Sequence, residues 1–482
     1  MIHNNDVRWA PLGPLYLSFA GIWLVMLLAT SILVIRLRRQ PEMQHRSVWM
    51  TLLSNAACAA MAVHFALDLA LLSGYPCAFV LWFPSIMYPL WSHIVWCRGM
   101  KLVELYHSNK AALDTVAYGK AGCCASTSSP SLSSLQHSKP LVVCAKTSDW
   151  RTRFVMRHRS LFATRTLLLT LLAVLAVCTA STLTAYLLTT EYTMDNSVHC
   201  DGQWELFPMY TILGIGILLL VTTVLPLLRG VEDAYGQRTE LVFLLSIGVV
   251  AFLVAVSIDM LPPNVLPDWY TDVPVGLISL LAMCGMQLFT VILPVTRIWW
   301  WWRRSEKDIA GKRTASVTTI YLDTLCSDPV WMANLRQFSV RDFSAGNVLF
   351  LERYARFHNR FFCDQPAAIC DFAAMLTELE TIYANFFSPK AGVRIDISEE
   401  TRQELDRQFM TRQLDTNVFA RAYQEVWYAL TRRTIPRYQQ HISSNRESML
   451  FKPHEPRNIA ECHCAHDTIA DDCRSPSTKQ LV

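Results

Sequence analysis

Hydrophobic and polar positions divide this chain into two parts of different rhythm. Through the first three hundred residues, long uncharged runs alternate with polar connections: Pro14–Ile35, Val48–Leu72, Cys77–Cys97, Leu167–Leu188, Leu206–Leu228, Leu241–Leu261 and Val273–Ile298. Hydrocarbon offers no water to backbone N–H and C=O groups, so about 20 consecutive apolar residues form a spanning helix whose hydrogen bonds close internally. Seven such helices are predicted. From Tyr321 to His441 the rhythm becomes amphipathic. In Val348–Phe362, the apolar residues Leu349, Phe350, Tyr354, Phe357 and Phe361 recur at helical spacing, with Glu352, Arg353, Arg356 and Arg360 on the other faces. Ser398-Glu399-Glu400-Thr401 reads as the capped start of a helix over Arg402–Met410. Phe419, Ala422, Tyr423, Val426 and Trp427 line one face of the last long helix. No strand-like alternation appears. The expected fold is all-α, a seven-helix transmembrane bundle followed by a small helical domain.

Composition agrees with this division. Of 482 residues, 52% are hydrophobic and 17% charged, which is too apolar for a soluble chain of this length. The net charge of +4 matters less than its placement. Lys and Arg crowd the connections after the first, third, fifth and seventh spans and are missing from the alternate ones, which carry Glu191, Asp195, Asp201, Glu205, Asp268 and Asp272. By the positive-inside rule the N-terminus lies outside and the C-terminal domain is cytoplasmic, in a multi-pass protein of the plasma membrane. Trp299 to Trp302, followed by Arg303 and Arg304, fits an anchor at the inner interface.

The expected boundaries are a membrane domain over 1–304, a linker over 305–320, a helical domain over 321–441 and a disordered tail over 442–482. A long connection over 100–160 contains a Ser-rich stretch after Cys123-Cys124 that is too poor in apolar residues to fold. In the tail, Cys462, Cys464 and Cys473 with His463 and His466 match no metal-site spacing. No phosphate loop, nucleophile elbow or zinc-protease motif occurs, so neither a cofactor nor catalytic chemistry of its own is expected. Balanced charge in the helical domain argues against nucleic acid. Ionisable side chains inside spans are costly and mark candidate sites. His64 and Asp68 are one turn apart, and with Asp259 they are candidates for an outer ligand pocket; the alternative is that Asp68 satisfies itself with His64 or an interhelical amide. Gln287 and His93 are lesser candidates.

Cys77, opening the third span, and Cys200, in the second outer loop, both face an oxidising compartment on this topology. A third-helix to second-loop disulfide is the staple of G-protein-coupled receptors, so the membrane half resembles that class, and the resemblance implies a Cys77–Cys200 bridge; two unpaired cysteines are the alternative. Tyr75-Pro76-Cys77, Trp82, Pro89-Leu90-Trp91 and Arg98 look more like fungal and plant seven-span proteins that carry a regulator domain.

Four blocks in order then resemble the regulator of G-protein signalling (RGS) family: Leu335–Phe338 with Asp342–Glu352, Ile382–Phe386, Val393–Ile397 with Thr401-Arg402, and Ile435–Tyr438. The resemblance implies a GTPase-activating domain that supplies no group to GTP but grips the switch segments of a Gα subunit in its GTP-bound or transition-state form. In those terms Asn347 reaches the Gα glutamine, Asp342 contacts a switch segment and Arg437 buttresses the binding loops. Asn347 also suits a helix N-cap. Arg394 stands where the family usually has Asn, and Arg433-Thr434 where it has an acidic residue and Ser, so a cation replaces a carboxylate at the Gα surface. Two functions follow: a receptor-like regulator that accelerates GTP hydrolysis on Gα, or a receptor for an unknown extracellular ligand whose RGS-like domain only docks Gα or a trafficking partner. A seven-span carrier is a third reading, without the internal repeat many carriers show.

Overall fold

In the computed structural model, residues 13–38, 40–71, 75–122, 149–189, 192, 194, 204–260, 275–310, 329–362, 372–388, 391, 393, 395–412, 415 and 417–449 are described. Among them every regular element is helical. Among the described residues, seven helices are long and apolar enough to cross a membrane. The first two run over Gly13–Arg36 and Val48–Leu71, and the short helix Pro41–His45 joins them. The third covers Cys77–Gly122 and the fourth Thr164–Leu188. The fifth spans Phe207–Leu219 and Leu225–Leu228 across a π turn, and the sixth spans Gln237–Met260. The seventh runs through Val275–Gln287, a π turn and Leu293–Ala310. Many outward-facing side chains, such as Leu15, Ile22, Leu168, Leu187, Leu218 and Val250, are exposed, as expected where lipid is the solvent.

Inside the bundle, polar groups are satisfied across helices. Asn55 Nδ2 donates to Ser31 Oγ at 3.0 Å, Gln287 Nε2 donates to Asn55 Oδ1, and Cys58 Sγ donates to Gln287 Oε1 at 3.2 Å. This chain of bonds ties the first, second and seventh helices, and Gln287 is fully buried by it. Near the arginine-rich end, Arg46 donates to both oxygens of Glu240, at 2.5 and 2.7 Å. The bond joins the first connection to the start of the sixth helix.

Among the described residues, three π turns, Leu220–Val224, Leu288–Ile292 and Leu430–Thr434, each end two residues before a proline: Pro226, Pro294 and Pro436. Proline lacks an N–H and its ring collides with the carbonyl four residues back. A wider turn relieves both conflicts without breaking the helix.

The third helix differs from expectation. It does not end at Cys97 but continues for 46 residues in all. Leu102, Val103, Ala111 and Ala112 are buried along its extension, and Lys110 pairs with Asp149 at 2.9 Å. His107 Nδ1 shares a 2.9 Å hydrogen bond with Thr152 Oγ1 on the helix Trp150–Arg157. The expected loop over 100–160 is therefore helical at both ends, while 123–148, with Cys123 and Cys124, lie outside the described residues. At the other end of the bundle sequence, the Arg303 guanidinium sits 4.5 Å over the Trp299 ring.

Beyond the seventh helix come Pro329–Arg341, Ala345–Phe362, Phe372–Phe386, Glu399–Thr411 and Ala420–Ala429. Their core is aromatic. Phe350 meets Phe386, Phe387 and Phe419 edge-on, with centroids 5.6, 5.3 and 6.2 Å away, and Phe387 stacks on Phe419 at 5.1 Å. Such edge-to-face pairs add to area burial. Residues Arg437–Val482 form a separate compact unit; the helix Ile435–Met449 that enters it runs past residue 441, where the sequence placed the domain's end. The cysteines and histidines of the tail lie outside the described residues.

Candidate functional site

The helices Pro329–Arg341 and Ala345–Phe362 are joined by a tight turn. Ser344 N–H donates to the Ser339 carbonyl at 2.9 Å, and the Ser344 carbonyl accepts from Val348 N–H at 3.2 Å. Ser344 thus precedes the second helix, and Asn347 stands inside its first turn rather than at its cap. Phe343 in this turn has φ of +57°. For a residue with a Cβ that conformation costs on the order of 1 kcal/mol and is held only by surrounding contacts.

Two side chains on this turn reach distant loops. The buried Asp342 carboxylate accepts a hydrogen bond from Thr434 Oγ1 at 2.8 Å. Asn347 Oδ1 accepts from Asp396 N–H at 2.9 Å, and Asn347 Nδ2 donates to Asp396 Oδ2 at 3.3 Å. One short segment therefore pins the loop before Glu399 and the π turn at Leu430–Thr434 to a common edge. Arg433 lies half-buried in that π turn, beside Thr434. Arg394 lies outside the described residues, and Arg437 opens the second compact unit.

The loop carrying Asp396 is braced from its other side. Ser398 caps the helix Glu399–Thr411, accepting from Thr401 N–H at 3.3 Å. In a capping box the third helical residue returns a carboxylate to the cap's own N–H. Here that residue is Thr401, and Glu425 from the helix Ala420–Ala429 takes the role instead. Glu425 Oε2 accepts from Ser398 N–H at 2.6 Å, and Oε1 accepts from Ser398 Oγ at 2.8 Å and from Thr401 Oγ1. Partial burial raises the Glu425 pKa, but these donors outweigh it and hold the carboxyl below its ordinary 4.5. Tyr383 donates to Asp406 Oδ1 at 2.7 Å. Burial, then that bond and the Asp406 charge, push its phenol up to about 12.

Sequence reasoning singled out Asp342, Asn347, Arg433 and Thr434, and these fall within one neighbourhood. It missed Asp396 and Glu425, whose partners are far away in the chain; a Ser-x-x-Thr start lacking its own Glu was the one signal pointing to Glu425.

In the membrane half, His64 Nδ1 shares a 2.8 Å hydrogen bond with Tyr75 Oη, and its ring stacks on Phe83 at 5.3 Å. Tyr75 is thus the partner of His64. Asp68 lies half-buried one turn further along the same helix. Asp259 is on the sixth helix, with its side chain outside the described residues. His93 shares a 3.1 Å bond with Thr170 Oγ1. Cys77 is buried, whereas Cys200 lies outside the described residues.

Residues 321–443 match the model of the Regulator of G protein signaling domain. The chain carries an RGS domain. With seven membrane-competent helices ahead of it, the chain has the make-up of a multi-pass 7TM-RGS protein. No curated protein and no solved structure matches it. RGS domains accelerate GTP hydrolysis and act on G-protein alpha subunits, so this one assigns the chain to the regulation of G-protein signalling.

Proposed function

We propose that this protein is a receptor-like regulator of the plasma membrane whose RGS domain binds GTP-bound Gα and accelerates GTP hydrolysis. Its N-terminus is extracellular and the RGS domain is cytoplasmic, a reading supported by the Lys and Arg distribution. The observation that carries the reading is the edge at which Asp342 is bonded to Thr434 and Asn347 to Asp396. Three segments that would face Gα are fixed to one another before any partner arrives, so little order is lost on binding. Gα holds its own catalytic arginine and water-orienting glutamine, and a rigid clamp on its switch segments lowers the barrier by preorganising them. Asp342, Asn347, Arg433 and Thr434 on this edge are the proposed Gα contacts, and Arg394 and Arg437 are proposed as further ones by family resemblance. Tethering in the bilayer raises the local concentration of the clamp at the membrane where Gα resides.

A Cys77–Cys200 bridge would hold the second outer loop over the bundle, with His64, Asp68 and Asp259 below it as candidate contacts for an extracellular ligand. The Arg433 side chain, beside Thr434 where the family has a carboxylate, favours a second reading, in which the domain docks Gα without accelerating it. Single-turnover GTP hydrolysis by Gα with the full chain in bilayer discs separates the two. A faster rate supports the GTPase-activating reading, and binding at an unchanged rate supports docking alone.

A further inference from the structure

The turn that bears Asp342 is not open to solvent. Phe343, only 7% exposed, is packed into the core of the membrane bundle. Its ring stacks on Tyr235 with centroids 5.7 Å apart and meets His45 edge-on at 5.2 Å; His45 and Tyr235 also touch each other at 5.6 Å. Around this aromatic plug, Ala234 N–H donates to the Arg341 carbonyl at 3.0 Å, and Tyr235 Oη donates to the Asp342 carbonyl at 3.3 Å. The Arg341 guanidinium pairs with Glu232. The helices Pro329–Arg341 and Ala345–Phe362 also lie against the long third helix.

The socket itself is clamped. His45 precedes Arg46, and Tyr235 lies five residues before Glu240; the bidentate Arg46–Glu240 pair therefore fastens together the two segments that form its walls. Asp233 stiffens the second wall, accepting from Gln237 N–H at 2.5 Å and Arg238 N–H at 3.2 Å, and Gly236 supplies a turn at φ of +73°. Arg46 is almost wholly buried, so a shift of the sixth helix away from the first connection would strip a buried cation of its partner and part the socket walls together.

We propose that the arginine-rich end of the bundle is a docking surface for the protein's own RGS domain, and that, while docked, it withholds the Asp342–Ser344 turn from Gα. Movement at the Arg46–Glu240 clamp releases it. The inference rests on the reading that this turn meets Gα. The coupling is a two-state one: if the docked form holds about nine-tenths of the population, Gα binding is weakened about tenfold relative to the released form.

The test uses the full chain in bilayer discs, with Gα subunits of the source organism loaded with GDP and aluminium fluoride as the probe. Two variants on the bundle side, Glu232→Arg and Tyr235→Ala, leave the RGS surface intact. Amide hydrogen exchange over 338–347 should quicken in both, and Gα should bind about tenfold more tightly. Adding Arg341→Glu to Glu232→Arg re-forms the pair with its charges exchanged, and should slow exchange and weaken binding again. Unchanged exchange in both single variants overturns the proposal, and so does faster exchange with Gα binding equal across all chains. Hydrolysis is scored separately. Tighter binding without faster hydrolysis keeps the docking inference and removes the GTPase-activating function, while equal binding with accelerated hydrolysis does the reverse.

Discussion

Asn347 and Asp396, 49 residues apart in the chain, are joined by two hydrogen bonds, one to the backbone and one to the carboxylate of Asp396. The amide thus works as a brace between the first turn of a helix and the loop that precedes another. Asn347→Ala leaves the Asp396 amide without its acceptor, which costs about 1–3 kcal/mol, and unfastens the loop from the edge proposed to meet Gα. The expected outcome is a lower melting temperature for the RGS domain together with loss of GTPase acceleration. Asn347→Asp should be worse, since it sets one carboxylate against another; thermal unfolding and single-turnover hydrolysis measure both.

Arg433 presents a cation beside Thr434, whose hydroxyl already holds Asp342. Arg433→Asp should strengthen contact with a Gα surface suited to a carboxylate, by about 1.5–3 kcal/mol for one charge-assisted bond. That corresponds to about tenfold or more in the acceleration of hydrolysis. Arg433→Lys, which keeps the charge, should leave the rate where it is. An unchanged rate in the aspartate variant would remove this position from the contact surface.

The Arg46–Glu240 pair is buried on the arginine side. Removing one partner leaves a desolvated charge, so Arg46→Ala or Glu240→Ala should cost about 3–5 kcal/mol in the bundle. The apolar double replacement Arg46→Met with Glu240→Leu should recover most of that stability. Thermal unfolding in detergent distinguishes the three chains. The double variant should still open the RGS turn to hydrogen exchange, because packing alone does not orient the two socket walls.

Acid should loosen the Glu425 brace. Its carboxyl titrates below 4.5 in the folded domain, so its contribution is fully present above that pH and is lost as the pH falls through the depressed value. Glu425→Gln should flatten the acid limb of a stability profile and weaken the brace on Ser398, which still caps Glu399–Thr411, at a cost of about 1 kcal/mol.

Tyr383 gives the opposite limb. A phenol whose folded pKa is raised from 10.0 to about 12 stabilises the fold fully below pH 10.0, and the contribution falls away as the pH rises to about 12. Tyr383→Phe should erase that alkaline slope, read by circular dichroism between pH 9 and pH 12.

The seven spans were legible because hydrocarbon imposes a single solution on a long apolar run, and most observed boundaries fall within a few residues of those expected. The third helix was cut short at Cys97 because Arg98 and Lys101 end its apolar run, although Leu102, Val103 and Ala111 continue a helical stripe that the RGS domain and the helix Trp150–Arg157 cover. Local spacing marks the run Ser398–Thr401 as a capped helix start, although the helix begins at Glu399 rather than Arg402. Glu425, which braces that cap, is not legible, because a hydrogen bond across 27 residues leaves no local pattern. Its motif marks Asp342 as a Gα contact, whereas nothing local gives its neighbour Phe343 a role. A phenylalanine in a turn reads as one more core residue until the surface that buries it is known.

At 46 residues and about 1.5 Å per residue, the third helix is about 69 Å long, and the bilayer's hydrocarbon accounts for only about 30 Å of that. The remainder is a stiff rod of about 39 Å rooted in the membrane. A tilt of about 5° at its root would carry the far tip about 3 Å, roughly the length of one hydrogen bond. Small rearrangements among the spanning helices are thereby magnified, by leverage alone, to a distance at which contacts with a neighbouring protein form or break.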